Sequence, residues 1–170
     1  MVLPSLILTL TSCAEITDLH CANINWYNFG YQTGLDGRSS SVVTGEASIC
    51  QASATAPRED LALEGYRAGL ENYCTPTNAF RIGQRGGELS SFCAPEELSL
   101  MQQPHQRGLQ DRRLSTQIRD LETERDRLLD LRDRADTDED RRAEIRGDIR
   151  ELDRRIDRLG DRRLLLTLVD

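Results

Sequence analysis

Sulfur carries most of the chemistry this sequence could perform. Cysteines stand at positions 13, 21, 50, 74 and 93 of 170 residues, beside only two histidines, His20 and His105. A thiol can act as a nucleophile, a metal ligand or half of a disulfide. Zinc coordination needs closely spaced pairs such as CxxC or Cys/His clusters. None occurs, so no metal site is expected. Disulfide exchange needs a labile, low-pKa thiol pair, and no two cysteines are close in sequence. The chain also lacks GxSxG, HExxH, Walker A and dinucleotide fingerprints. Asp36 and Glu64 are candidates for a carboxylate pair of the kind a peptidoglycan hydrolase uses, but nothing in the spacing brings them together. The histidines, one near the N-terminus and one between two compositional regions, read as ordinary surface residues. The expectation is a protein that is not an enzyme and takes no cofactor.

The elements that position the cysteines begin with the apolar run Val2–Leu10. It is too short to span a bilayer, which takes about 20 residues. It ends in small residues, the pattern of a secretory signal. Leu10-Thr11-Ser12-Cys13 resembles the lipobox of bacterial lipoproteins. That resemblance implies a signal peptide over 1–12, cleavage before Cys13, and acylation of its sulfur and of the new amino terminus. Several acyl chains anchor firmly, at roughly 0.8 kcal/mol per buried CH₂. Ala14, where an Asp would favour the inner membrane, points to the outer membrane. Cys21, Cys50, Cys74 and Cys93 then form an even set in an exported chain, which reads as two disulfides. Three connectivities are open, and each bridge would stabilise by about 3–4 kcal/mol. Free thiols would fit a cytosolic coiled-coil adaptor instead.

Composition divides the chain. All eight aromatic residues lie between 26 and 92, all cysteines before 94, and no proline follows Pro104. Residues 105–170 hold 17 of the 22 arginines and 18 of the 29 acids, and there is no lysine. The expected organisation is a tether over 13–24, a Gly/aromatic/Cys domain over 25–95 and an arm over 105–170. The net charge of −7 disfavours nucleic acid, because no basic face offsets it.

The N-terminal part repeats a short pattern. Trp26-Tyr-Asn-Phe-Gly30-Tyr-Gln-Thr-Gly34-Leu is matched by Leu61-Ala-Leu-Glu-Gly65-Tyr-Arg-Ala-Gly69-Leu. Phe80-Arg-Ile-Gly83 gives a shorter copy, and Arg107-Gly108-Leu109 echoes it. Glycines four apart share a helix face, and each mid-helix Gly costs about 1 kcal/mol against Ala. The usual reason to accept that cost is close approach of two backbones. Polar residues between the glycines exclude a membrane-dimer motif. Small helices packed around an aromatic core are expected. The alternative is a ligand- or glycan-binding face built from Trp26, Gly30, Tyr31, Gly34, Gly65, Tyr66 and Gly69.

One succession joins these features. Cys21…Trp26-Tyr-x-x-Gly30-Tyr-x-x-Gly34-x-x-Gly37-Arg38 leads to Cys50, then Tyr66-x-x-Gly69-Leu-x-x-Tyr73-Cys74, then Gly83-x-x-Gly86-Gly87…Cys93. It resembles the bacterial lipoproteins of the domain of unknown function 2799 family, over roughly residues 13–135. The resemblance implies a compartment and no activity.

Residues 108–134 and 138–167 carry heptad spacing. Leu114, Ile118, Leu121 and Leu128 form one seam; Ile145, Ile149, Leu152, Ile156 and Leu159 form the other. Thr137 and Asp140 resemble a capping box that starts the second segment. Acids and arginines alternate around both, as on a solvated, ion-paired surface. The fold class is therefore mainly α: a small disulfide-stapled domain of short Gly-rich helices, then a long antiparallel helical hairpin, a coiled coil. The expected function is that of a lipid-anchored, periplasm-facing envelope lipoprotein. It would be a structural or interaction module whose second seam packs internally or meets itself or another envelope protein.

Overall fold

The computed structural model describes residues 12–134 and 136–168, with side chains from residue 18 onward. The lipobox-like run before Ser12 and the Cys13 sulfur lie outside the described residues. Among those described are seven α-helices and no strands: α1 (Ser12–Asn23), α2 (Trp26–Leu35), α3 (Ser41–Cys50), α4 (Glu59–Tyr73), α5 (Pro76–Arg85), α6 (Pro95–Asp133) and α7 (Glu139–Thr167).

Two compact units result, and they do not follow the composition break. One comprises residues up to Thr75 with Ser90–Leu98; the other comprises Pro76–Leu89 with the residues from Ser99 onward. The reason lies in the third and fourth glycine copies, which pair α5 with α6. The stretch between Pro95 and His105, which the composition leaves between domain and arm, is helical. It is the start of α6, where the Glu97 carboxylate accepts the Ala94 N–H at 2.8 Å, half of a capping box. Pro104 lies inside this helix and is buried. An interior proline costs about 3 kcal/mol, so burial of Pro104, His105 and Gly108 must offset it.

In the first unit the stretch expected to be a tether is helical. The Cys21–Cys50 disulfide clamps α1 to α3, and both cysteines are fully buried. His20 meets Glu46 at 2.6 Å, and the Asp18 carboxylate accepts the Ala54 N–H at 3.1 Å. Asn25 caps α2 by accepting the Asn28 N–H at 3.0 Å. For α4, Thr55 is not the cap. Arg58 holds that position without a side-chain capping bond, its guanidinium donating instead to Asp60, and Glu59 and Asp60 occupy the first turn. The core gathers Trp26, Val43, Ala47, Ala62 and Tyr66 around the first disulfide. The second disulfide joins Cys74 to Cys93, which settles the connectivity.

In the second unit α6 and α7 form the expected hairpin. Asp111 meets Arg163, Arg125 meets Asp153, and Arg142 donates to the Arg132 carbonyl, a register that fixes the two helices as antiparallel. Asp138, one residue after the expected Thr137, caps α7 by accepting the Arg141 N–H at 2.8 Å. Thr137 instead donates its hydroxyl to the Leu131 carbonyl.

Candidate functional site

The glycines form two helix crossings of one design. Where α2 meets α4, a Cβ on Gly34 would overlap the Tyr66 carbonyl oxygen and stand 2.7 Å from the Leu70 nitrogen. A Cβ on Gly69 would overlap the Tyr31 oxygen and stand 2.8 Å from the Leu35 nitrogen. Gly30 and Gly65 meet the Ala62 and Tyr27 carbonyls one turn earlier. Positions rise together along both helices, so α2 and α4 run in the same sense. Only glycine lets backbones approach this closely, and the contact admits Cα–H···O=C bonds worth perhaps 0.5–1 kcal/mol each.

The crossing of α5 and α6 repeats this arrangement. A Cβ on Gly83 would overlap the His105 carbonyl oxygen, and one on Gly108 the Phe80 oxygen. Here Ala79 and Pro104, both buried, replace the earlier glycines. The helix ends agree as well. Gly37 (φ 66°) and Gly86 (φ 76°) lie three residues after Gly34 and Gly83, in the left-handed conformation that closes a helix C-terminus. The Tyr66 hydroxyl donates to the Arg38 carbonyl at 2.9 Å; at the equivalent place the His105 ring nitrogen meets the Gly87 carbonyl at 2.7 Å. The four sequence copies are thus two pairs, α2 with α4 and α5 with α6. His105, expected at the surface, is buried because it does the work of a tyrosine in the second pair.

This packing decides the glycine/aromatic face. Trp26 and Tyr66 are buried, Tyr31 is half-buried, and Gly30, Gly34, Gly65 and Gly69 are covered by the neighbouring helix. The face that the alternative reading made a ligand groove is therefore filled, and the glycines serve helix packing. Trp26 packs edge-on against Phe29, while Tyr27 and Tyr31 stack along α2. Burial holds the Tyr66 phenol above its ordinary titration range. Asp36 and Glu64 are both exposed, one at the end of α2 and the other on α4. Ligand atoms of Cys74, Cys93 and Glu97 lie within 4.8 Å of one another, but both sulfurs are spent in the disulfide.

The hairpin seam is likewise turned inward. Ile145 and Leu152 are buried, and Ile149, Ile156 and Leu159 are half-buried. Leu114 on α6 is buried, and Leu121 faces the same recess as Leu159. Exposed apolar residues of α7 and its C-terminal cap lie off the seam: Leu164, Leu165 and Leu168, at 58, 61 and 67% exposure. Heptad counting missed them because they fall off the four-three spacing of the seam, which continues through positions 163 and 166. Around the seam, exposed ion pairs contribute little individually. The Arg132 guanidinium draws Asp133 below the usual carboxylate range, and Arg154 does the same to Glu151.

No helix among the described residues is long and apolar enough to cross a membrane. No curated protein and no solved structure matches the chain. A family model described as a protein of unknown function, DUF2799, matches residues 25–110, half of the chain, from the start of α2 to just past Gly108. The match ends before most of the hairpin, so it coincides with the two glycine crossings. A chain built around both crossings and matched across both of them belongs to the DUF2799 family.

Proposed function

We propose that this protein is a lipid-anchored component of the cell envelope, held at the outer membrane by acylated Cys13 and facing the periplasm. In this reading it is a non-enzymatic interaction module that presents its helical arm to an envelope protein or to a second copy of itself. The cysteine pairing carries the proposal. Four cysteines pair among themselves, as an oxidising compartment permits, and Cys13 is left over at a lipobox-like sequence. The arm supports the second half, since it buries its seam yet leaves three leucines exposed at the end of α7.

Photo-crosslinking in intact cells tests the arm. A photoreactive residue at Leu165 should capture a discrete protein adduct, whereas one at Asp148, on the exposed polar face, should not. Equal capture at both positions, or at neither, would overturn the assignment of the leucines as the contact.

A further inference from the structure

The two glycine crossings differ at one end. Superposing Gly83 on Gly34 and Gly108 on Gly69 sets Gln84 against Leu35, Arg85 against Asp36, Asp111 against Asn72 and Arg112 against Tyr73. In the first unit this end is closed by tyrosine: the Tyr73 ring lies on Gly37, and its hydroxyl accepts the Ser90 N–H at 3.0 Å. In the second unit the same end opens into a polar recess of about 340 Å³, lined by Gln84, Asp111, Arg112, Ser115, Arg119 and Arg163.

The recess offers donors. Asp111, 2% exposed, is already engaged at both oxygens: one takes the Arg163 Nε at 2.7 Å and the other the Gln84 amide nitrogen at 3.0 Å and a second Arg163 nitrogen at 3.4 Å. That pair neutralises itself and fixes Arg163, whose side chain is 44% exposed. Arg112 rests on Gly86 and donates to the Arg85 carbonyl; Arg119 donates to the Thr116 hydroxyl at 3.3 Å. Neither Arg112 nor Arg119 meets a carboxylate among the described residues, so two positive charges stand uncompensated beside the recess. The surroundings reinforce them. Residues 107–121 and 154–168 hold nine arginines against four acids, net +5, while 122–153 hold eight against thirteen, net −5. A protein of net charge −7 thus concentrates positive potential at the base of its arm.

We infer that this recess is an oxyanion-binding site, taking the phosphate or carboxylate group of a small ligand. Guanidinium groups held in place by their own partners present planar forks that match such oxygens, and the hydroxyl of Ser115 adds a further donor. The volume lies at the small end of ligand pockets, which suits a compact anion.

The test is NMR titration of the arginine Nε–Hε signals of the full chain at constant ionic strength. Inorganic phosphate and acetate serve as probes, with chloride as the control. Saturable shifts at Arg112, Arg119 and Arg163 are expected. Arg119→Gln should weaken binding about tenfold, the loss of one charge-assisted contact. Arg112→Gln should do the same. Both side chains are exposed, so circular dichroism should be unchanged. Saturation by phosphate alone assigns a phosphate group, and by acetate alone a carboxylate. Shifts that grow linearly and equally in chloride, or saturable binding that survives both substitutions, would overturn the site.

Discussion

Replacing Gly34 or Gly69 by alanine is expected to remove most of the stability of the first unit, on the order of 4–5 kcal/mol. An interior Gly→Ala change ordinarily gains about 0.5–1 kcal/mol, because alanine is the better helix former. Here the added methyl would overlap a backbone carbonyl oxygen of the opposing helix, with a backbone nitrogen 2.7 or 2.8 Å away. Backbone cannot swing aside as the end of a long side chain can, so α2 and α4 would have to separate. Gly45 is the internal control. It lies mid-helix in α3 with nothing within 4 Å of its Cβ position, and Gly45→Ala should gain a few tenths of a kcal/mol or more. Urea denaturation of the three variants measures the contrast. Similar midpoints for Gly34→Ala and Gly45→Ala would show that the close crossing does not hold the unit together.

Ile145→Asp is expected to melt the arm, at a comparable cost of about 4–5 kcal/mol. Ile145 is fully buried, and Leu152 one heptad later is nearly so. The substitution removes a well-packed apolar side chain and strands a carboxylate between two helices. Thermal melts followed by circular dichroism should lose much of the helical signal from α7, whose 29 residues depend on this seam. Leu165→Asp, on a residue 61% exposed, should leave the melt within about 0.5 kcal/mol of wild type. If Ile145→Asp left helicity intact and Leu165→Asp reduced it, the seam would face outward and the hairpin assignment would fail.

Much of this was legible in the sequence because its signals were periodic or paired. Heptad spacing from Ile145 to Leu159 announced a helix with one narrow apolar stripe, and the structure turns that stripe inward. Glycines four residues apart pointed to backbone contact, the usual reason for two helix-weakening residues in ten. What local reading could not supply was pairing. It found four copies of one pattern without showing that the first packs on the second and the third on the fourth. For that reason it put the break near residues 95–105, whereas α5 belongs with α6. It also treated His105 by type, although three residues before a crossing glycine is the place Tyr66 holds in the first pair. The stretch read as a tether is a helix tied to α3 by the Cys21–Cys50 disulfide, a pairing that the cysteine count left open.

Asp111 shows the same limit. Its partners Gln84 and Arg163 lie 27 and 52 residues away, and acids are abundant, so nothing in the sequence distinguishes it. Burial beside the second crossing does. An ion pair in such a place contributes little net stability, because desolvation offsets much of its attraction.

Under the proposed function this chain matures outside the cytosol as an acylated, doubly bridged protein. Mass spectrometry of material extracted with detergent from the cells that make it, without reduction, tests this in one experiment. The predicted result is an N-terminal peptide beginning at acylated Cys13, with Cys21 bridged to Cys50 and Cys74 to Cys93. Recovery of a chain beginning at Met1, with all five thiols free to react with maleimide, would contradict it.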